Sequence, residues 1–139
     1  MKSLNTILLA LGALAGTTAL HAQTAVVKIP FDFTVAAETM PAGEYTLKCA
    51  TVTCDTIKFV NRETFKSAVV LMRGKNAPHG NEGASGKLTF HRYGEEYYFA
   101  GVWTPSGLHG DVPLSPRERS ASNGSTQTAT VSIPVLGTR

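Results

Sequence analysis

The stretch from Lys87 to Trp103, KLTFHRYGEEYYFAGVW, leaves few folds open to the chain that carries it. Two runs rich in aromatic and β-branched residues flank Gly94-Glu95, the pattern of a β-hairpin. Glycine at the first central position suits a two-residue type II′ turn, whose twist matches the strands on either side. That turn dictates a register: Arg92 opposite Tyr97, Phe90 opposite Phe99 and Leu88 opposite Gly101. Leu88, Phe90, Tyr97, Phe99 and Trp103 then share one face. Cross-strand aromatic pairs there contribute a few tenths to ~1 kcal/mol each. The rest of the chain has to supply a second apolar surface to cover that face.

It does so with more strands. Val27, Ile29, Phe31, Phe33 and Val35 alternate with Lys28, Pro30, Asp32 and Thr34, which reads as one half-buried strand over 27–35. Pro30 has no N–H to give a ladder, so this strand is expected at a sheet edge. Met40-Pro41-Ala42-Gly43 fits a type I turn leading into a strand over 44–49, with Tyr45, Leu47 and Cys49 on one side. A third strand runs from about Asp55 to Asn61, and a fourth over 67–73. Five apolar residues in a row, Ala68 to Met72, suggest a strand covered on both faces. The segments 74–86 and 104–116 are glycine- and proline-rich loops, and residues from Ser115 or Ser120 form at most one or two helical turns. The tail over 128–136 alternates again, with Ala129, Val131, Ile133 and Val135 against Thr130, Ser132 and Pro134. Its outward proline marks another edge strand, and it is expected close to the first. Strands at short spacing without an amphipathic helix give an all-β fold: a single antiparallel sandwich or small barrel of seven or eight strands. An outer-membrane barrel also alternates, but too few of these strands reach membrane length.

Residues 1–22 stand apart from this pattern. Lys2, the apolar run from Ile7 to Ala15 and the small residue Ala22 before Gln23 make up a secretory signal peptide. Residues 23–139 are then one domain outside the cytoplasm, secreted or periplasmic, without stable membrane insertion once the leader is gone. The formal charge of +3 falls to about +2 without Lys2, and the basic residues form no run. Nucleic-acid surfaces need clustered basic residues, so nucleic acid is not an expected partner.

Ile29-Pro30-Phe31-Asp32-Phe33, Pro41-Ala42-Gly43-Glu44-Tyr45, Phe90-His91-Arg92-Tyr93-Gly94 and Val102-Trp103 occur in this order. In that respect the chain resembles a group of small exported bacterial β-rich proteins, over most of its length to about Arg119. The resemblance implies export and a single β-rich domain, and carries no activity, cofactor or catalytic residue. Two features depart from the group's pattern: the cysteine pair and the Ser/Thr-rich tail that ends in a strand.

Cys49 and Cys54 are the only cysteines, and in an exported protein they are expected to be bonded to each other. On a regular hairpin that aligns Tyr45 and Leu47 with Ile57 and Phe59, the two cysteines cannot also face one another. A bulge would reconcile the two demands. No metal site or cofactor is expected, because His79, His91 and His109 show no ligand spacing. No nucleophile motif occurs, and Glu95 and Glu96 are adjacent, so they point apart. No catalytic residue is assigned. The residues that could form a binding surface are His91, Tyr93, Tyr98 and Trp103 on the hairpin, with His79, His109 and Asp111 in the loops. The expected function is a non-catalytic exported domain that binds a protein or small-molecule ligand. The alternative is a small secreted hydrolase working through loop His and Asp residues. A hydrolase should place His79 or His109 against a carboxylate in a pocket, whereas a binding module should expose an apolar patch or a free strand edge.

Overall fold

The computed structural model describes residues 24–73, 86–105, 108–124 and 129–138. Ten strands and one helix follow in chain order: β1 (Thr24–Ile29), β2 (Phe33–Val35), β3 (Glu38–Met40), β4 (Gly43–Cys49), β5 (Thr56–Asn61), β6 (Ser67–Leu71), β7 (Lys87–Tyr93), β8 (Glu96–Trp103), β9 (His109–Asp111), α1 (Pro116–Gly124) and β10 (Ala129–Thr138). They form one sheet in the order β3-β2-β8-β7-β10-β1-β4-β5-β6, with β9 also paired to β8. The sheet curls until its ends almost meet. Just past β6, Arg73 exchanges both backbone hydrogen bonds with Asp111 of β9, at 2.7 and 3.1 Å. At the other end of β6, Lys66 Nζ donates to the Thr39 carbonyl of β3 at 2.6 Å. The molecule is therefore all-β, as expected, and of the two expected forms it is a nearly closed barrel, but with nine to ten strands instead of seven or eight and with one parallel pairing, β2 on β8, in an otherwise antiparallel sheet. The strands not read from the sequence are β3 and β9, each three residues long and too short to show a period, and one more arises because the expected 27–35 strand is divided into β1 and β2.

The interior is apolar and tightly filled. Tyr45, Phe33, Phe59, Phe90, Ile29, Met40, Leu47, Ile57 and Leu88 are all fully buried. Phe33 lies at the centre, with ring centroids of Tyr45, Phe90 and Phe59 at 5.2, 5.5 and 5.9 Å, and Phe99 closes the ring of contacts 4.8 Å from Phe59. Edge-to-face pairs of this kind add roughly 0.5–1.5 kcal/mol each beyond area burial.

The strand expected over 27–35 is broken at Pro30. Pairing of β1 with β4 ends at Ile29 opposite Gly43, and β2 then crosses to β8, with Thr34 beside Tyr98. Val27, Ile29, Phe33 and Val35 all face inward, so the alternation persists across the break although the sheet partner changes. Pro30 ends a strand and does not mark an edge. β10 is not an edge either: its first half pairs with β7 as far as Pro134, and its second half pairs with β1 from Val135. The proline with no N–H sits where one ladder hands over to the other. The first and last strands are neighbours, as their shared pattern suggested, and β10 is the staple that joins the two halves of the barrel.

Two further expectations are corrected. β6 is not covered on both faces: Ala68, Val70 and Met72 are buried, while Val69 and Leu71 are about half exposed, at 51% and 53%. In the β7–β8 hairpin, Tyr93 pairs with Glu96 around Gly94, whose φ of 62° is the left-handed value the turn requires. Arg92–Tyr97 and Phe90–Phe99 pair as expected, but a bulge between Thr89 and Phe90 shifts the register beyond them. Leu88 consequently meets Val102 instead of Gly101, Val102 takes the inward place, and Trp103 is only half buried beside Lys87. β9 lies very close on β8 here: a Cβ on Gly101 would come 2.9 Å from the Gly110 carbonyl.

Cys49 and Cys54 are bonded, with Cα atoms 4.8 Å apart. No strand bulge is involved. Cys49 pairs with Ile57 in the even register, and Cys54 sits in the loop beyond it at φ 56°, which turns its side chain back.

Candidate binding surface

The turn joining β5 to β6 is built on Asn61, which is 3% exposed. Its N–H donates to the Lys66 carbonyl at 2.9 Å, and its carbonyl accepts from the Phe65 N–H at 3.0 Å. Its side-chain Oδ1 accepts from the N–H groups of Glu63 and Thr64, both at 2.9 Å. The next residue, Arg62, donates its N–H to the Glu44 carbonyl at 2.9 Å. These bonds hold Phe65 at φ 59° with 76% of its surface exposed. A left-handed conformation costs an L-residue roughly 1–2 kcal/mol and is normally left to Gly or Asn. The residue there has a strained backbone and presents its phenyl ring to solvent.

Below the ring, on the outer face of β4 and β5, is a cavity of about 450 Å³ lined by Thr46, Lys48, Val60, Asn61, Arg62 and Phe65. Arg62 is held by an ion pair with Glu44, both partly exposed. Lys48 lies directly opposite Lys58 across the β4–β5 ladder. Like charges placed opposite each other on one sheet face repel, at a cost of a few tenths of a kcal/mol or more. Among the described residues neither lysine has an ion-pair partner.

The apolar side of this surface runs along β6. Phe65, Val69 and Leu71 are three of the six exposed large hydrophobic residues among the described residues, gathered within seven positions. The backbone edge there has no strand partner among the described residues, although Lys66 ties its start to β3 and Arg73 its end to β9. Asn61 N–H to Lys66 carbonyl and Met72 N–H to Asp55 carbonyl are both made toward β5. Antiparallel alternation then points the groups of Ala68 and Val70 at β5 and those of Ser67, Val69 and Leu71 away from it. Among the described residues no strand pairs with that outer side.

The residues singled out in the sequence lie elsewhere. His91, Tyr93 and Tyr98 are on the outward face of the β7–β8 hairpin, but α1 covers them. Ser115 caps this helix, its Oγ accepting from the Glu118 N–H at 3.1 Å, and Pro116 begins it. Nine residues make it longer than the one or two turns expected. Glu118, 3% exposed, turns its carboxylate onto the sheet, where Oε1 meets His91 Nδ1 at 2.7 Å and accepts from the Tyr93 hydroxyl at 3.2 Å. Burial first, and then the Glu118 charge, raise the Tyr93 phenol above its usual value. Burial and the hydrogen bond to Glu96 do the same for Tyr98. Arg117 donates to Thr39 Oγ1 at 3.0 Å and ties the helix to β3. This cluster docks a helix, and Tyr93 and Tyr98, 5% and 2% exposed, offer no free surface. Trp103 and His109 are brought together as cross-strand neighbours of β8 and β9, both half-buried, with Asp111 exposed two residues on. His79 lies outside the described residues, as does the segment 1–22 read from the sequence as a leader. Among the described residues no group of three or more His, Cys, Asp or Glu is placed to hold a metal, and no helix is long and apolar enough to cross a membrane.

Sequence reasoning missed Phe65, Lys48 and Arg62. A signal was present in Asn61-Arg62-Glu63-Thr64-Phe65, where a turn-forming Asn is followed by a phenylalanine at the position a glycine would favour. No family model, no curated protein and no solved structure matches this chain.

Proposed function

We propose that the protein is a non-catalytic binding domain, exported to the periplasm or cell surface, and that an extended partner segment adds to β6 as a further strand. The observation that carries this reading is the outward-facing backbone of Ser67, Val69 and Leu71 beside the exposed Val69 and Leu71 side chains. Strand addition uses main-chain hydrogen bonds for affinity and alternate side chains for selectivity. The ties at Lys66 and Arg73 bracket the open edge, so the segment it accepts is about five residues long. Apolar residues on such a segment would lie along Val69 and Leu71, and an acidic one would meet Lys58, the cross-strand partner of Val69. The bonded cysteines are compatible with an oxidising compartment.

Val69→Pro is the discriminating variant, because it removes an N–H directed outward and leaves the ladder to β5 intact. Nine-residue peptides selected from a displayed library on the wild-type domain should alternate apolar with polar residues. They should lose at least tenfold in affinity for Val69→Pro at an unchanged melting temperature. Peptides that bind the variant equally well, or a library that yields no common pattern, would defeat strand addition. The rival reading, a small hydrolase using His109 with Asp111 or His79, requires turnover of a substrate that Val69→Pro leaves untouched.

A further inference from the structure

We infer that the open pocket lined by Phe65 is a binding site for a small anion carried on a ring with an apolar face, such as an aryl carboxylate or a sugar acid. The cavity lies on β4 and β5 and does not depend on strand addition at β6. Three observations converge on it.

The first is the ring itself. Phe65 is 76% exposed, contributes nothing to the core, and occupies a backbone conformation that phenylalanine disfavours. Hydrogen bonds from Asn61, Glu63, Thr64 and Lys66 hold the turn around it, so its exposure is imposed by the fold. Strained, over-determined residues concentrate at ligand sites. An exposed aromatic face lining the same pocket as Val60 offers a stacking platform for one ring of a ligand.

The second is charge. Of the cavity-lining residues, Lys48 and Arg62 are cationic, and none is a carboxylate. Lys58 stands opposite Lys48 on the same face and strengthens the positive potential there. Neither ammonium group has an ion-pair partner among the described residues, so an anion between them would relieve a repulsion built into the ladder. Arg62 is anchored from one side by Glu44, which fixes the guanidinium and leaves further N–H donors for a ligand. The Thr46 hydroxyl adds a neutral donor and acceptor to the lining.

The third is size. The site is a depression of about 450 Å³ that opens to solvent, with room for a single ring bearing one charged group. A bare inorganic anion would leave Phe65 unused, and a neutral ring would leave Lys48 unused. The two features together select a ligand that has both.

The test is a set of ¹H–¹⁵N titrations of the disulfide-bonded protein with four probes: benzoate, glucuronate, glucose and inorganic phosphate. Benzoate or glucuronate should produce saturable shifts centred on the amides of Lys48, Arg62 and Phe65, and the stronger of the two identifies the ring as aryl or sugar. Glucose and phosphate should bind at least tenfold more weakly. Lys48→Gln and Phe65→Gly should each weaken binding by the better anion at least fivefold, while Lys28→Gln on β1 should not. Phe65→Gly should melt at or above the wild-type temperature, which separates loss of the platform from loss of the fold. The inference is overturned if neither ring-bearing anion saturates at these amides, if phosphate binds as well as they do, or if Phe65→Gly binds as tightly as wild type. Because Val69→Pro leaves the cavity intact, failure of strand addition at β6 would leave these titrations unchanged.

Discussion

The two best-defined hairpins of the barrel obey opposite rules. In β7–β8 the turn places glycine at φ 62°, and the aromatic rings Phe90 and Phe99 point into the core. In β5–β6 the turn places Phe65 at φ 59° and points the ring at solvent. A positive φ is thus taken once by the residue that adopts it freely and once by one that resists it. Where local preference and global fold agree, the element is structural. At Phe65 the two conflict, and the hydrogen bonds of the Asn61 turn impose the conflict. That contrast locates the candidate surface on β4–β5–β6, far from the aromatic hairpin that dominates the sequence.

The severest way to break the comparison is to remove what holds the β7–β8 half against the rest. Truncation after Gly124 deletes β10 and with it the ladders to both β7 and β1. Partly burying Val131, Ile133 and Val135 contributes up to about 1.5–3 kcal/mol per side chain before entropy. The loss is comparable with the net stability of a small domain, roughly 5–15 kcal/mol. The truncated protein should be unfolded or insoluble, and a melting temperature equal to that of the full chain would show that β10 is not a staple.

A pair of single substitutions sharpens the comparison directly. Phe90→Ala empties a fully buried site and should cost about 3–5 kcal/mol in denaturant unfolding. Phe65→Gly should instead stabilise by up to about 1 kcal/mol, because glycine relieves the left-handed strain. Equal destabilisation by both would remove the distinction between a structural and a presenting hairpin.

The smallest expected effect is on pH dependence, and it belongs to the face under α1. Burial and Glu118 raise the folded-state pKa of Tyr93 above the ordinary 10.0, and burial with Glu96 raises that of Tyr98. The folded chain holds these protons more tightly than the unfolded chain does. Their contribution is therefore complete below about pH 10 and lost as pH rises through the folded values. Stability should fall at alkaline pH, and Tyr93→Phe should flatten that fall while costing about 1 kcal/mol at neutral pH through the lost hydrogen bond. An alkaline profile identical to wild type would mean that Tyr93 ionises no differently in the folded chain.

By itself the sequence determined the all-β class, most strand positions, the disulfide and the inward set of residues from Val27 to Val35. Each of these follows from period-two patterning or short-range geometry, which a strand carries wherever it is placed. The register of β7–β8 was legible only near the turn, because a bulge at Thr89 leaves no mark in an apolar run where Val102 and Trp103 are equally plausible inward residues. Only the tertiary structure decided that Pro30 breaks a strand while Pro134 lies within the sheet, since a proline reveals which bond is missing but not which neighbour it faces. It also decided that α1 covers Tyr93 and Tyr98, through one buried carboxylate on an otherwise polar helix with no apolar stripe to announce it. The cavity at Lys48, Arg62 and Phe65 is the clearest case. Its residues come from two adjacent strands and the turn after them, and each looks like ordinary surface until the ladder sets Lys48 opposite Lys58 and the Asn61 turn holds the ring above them.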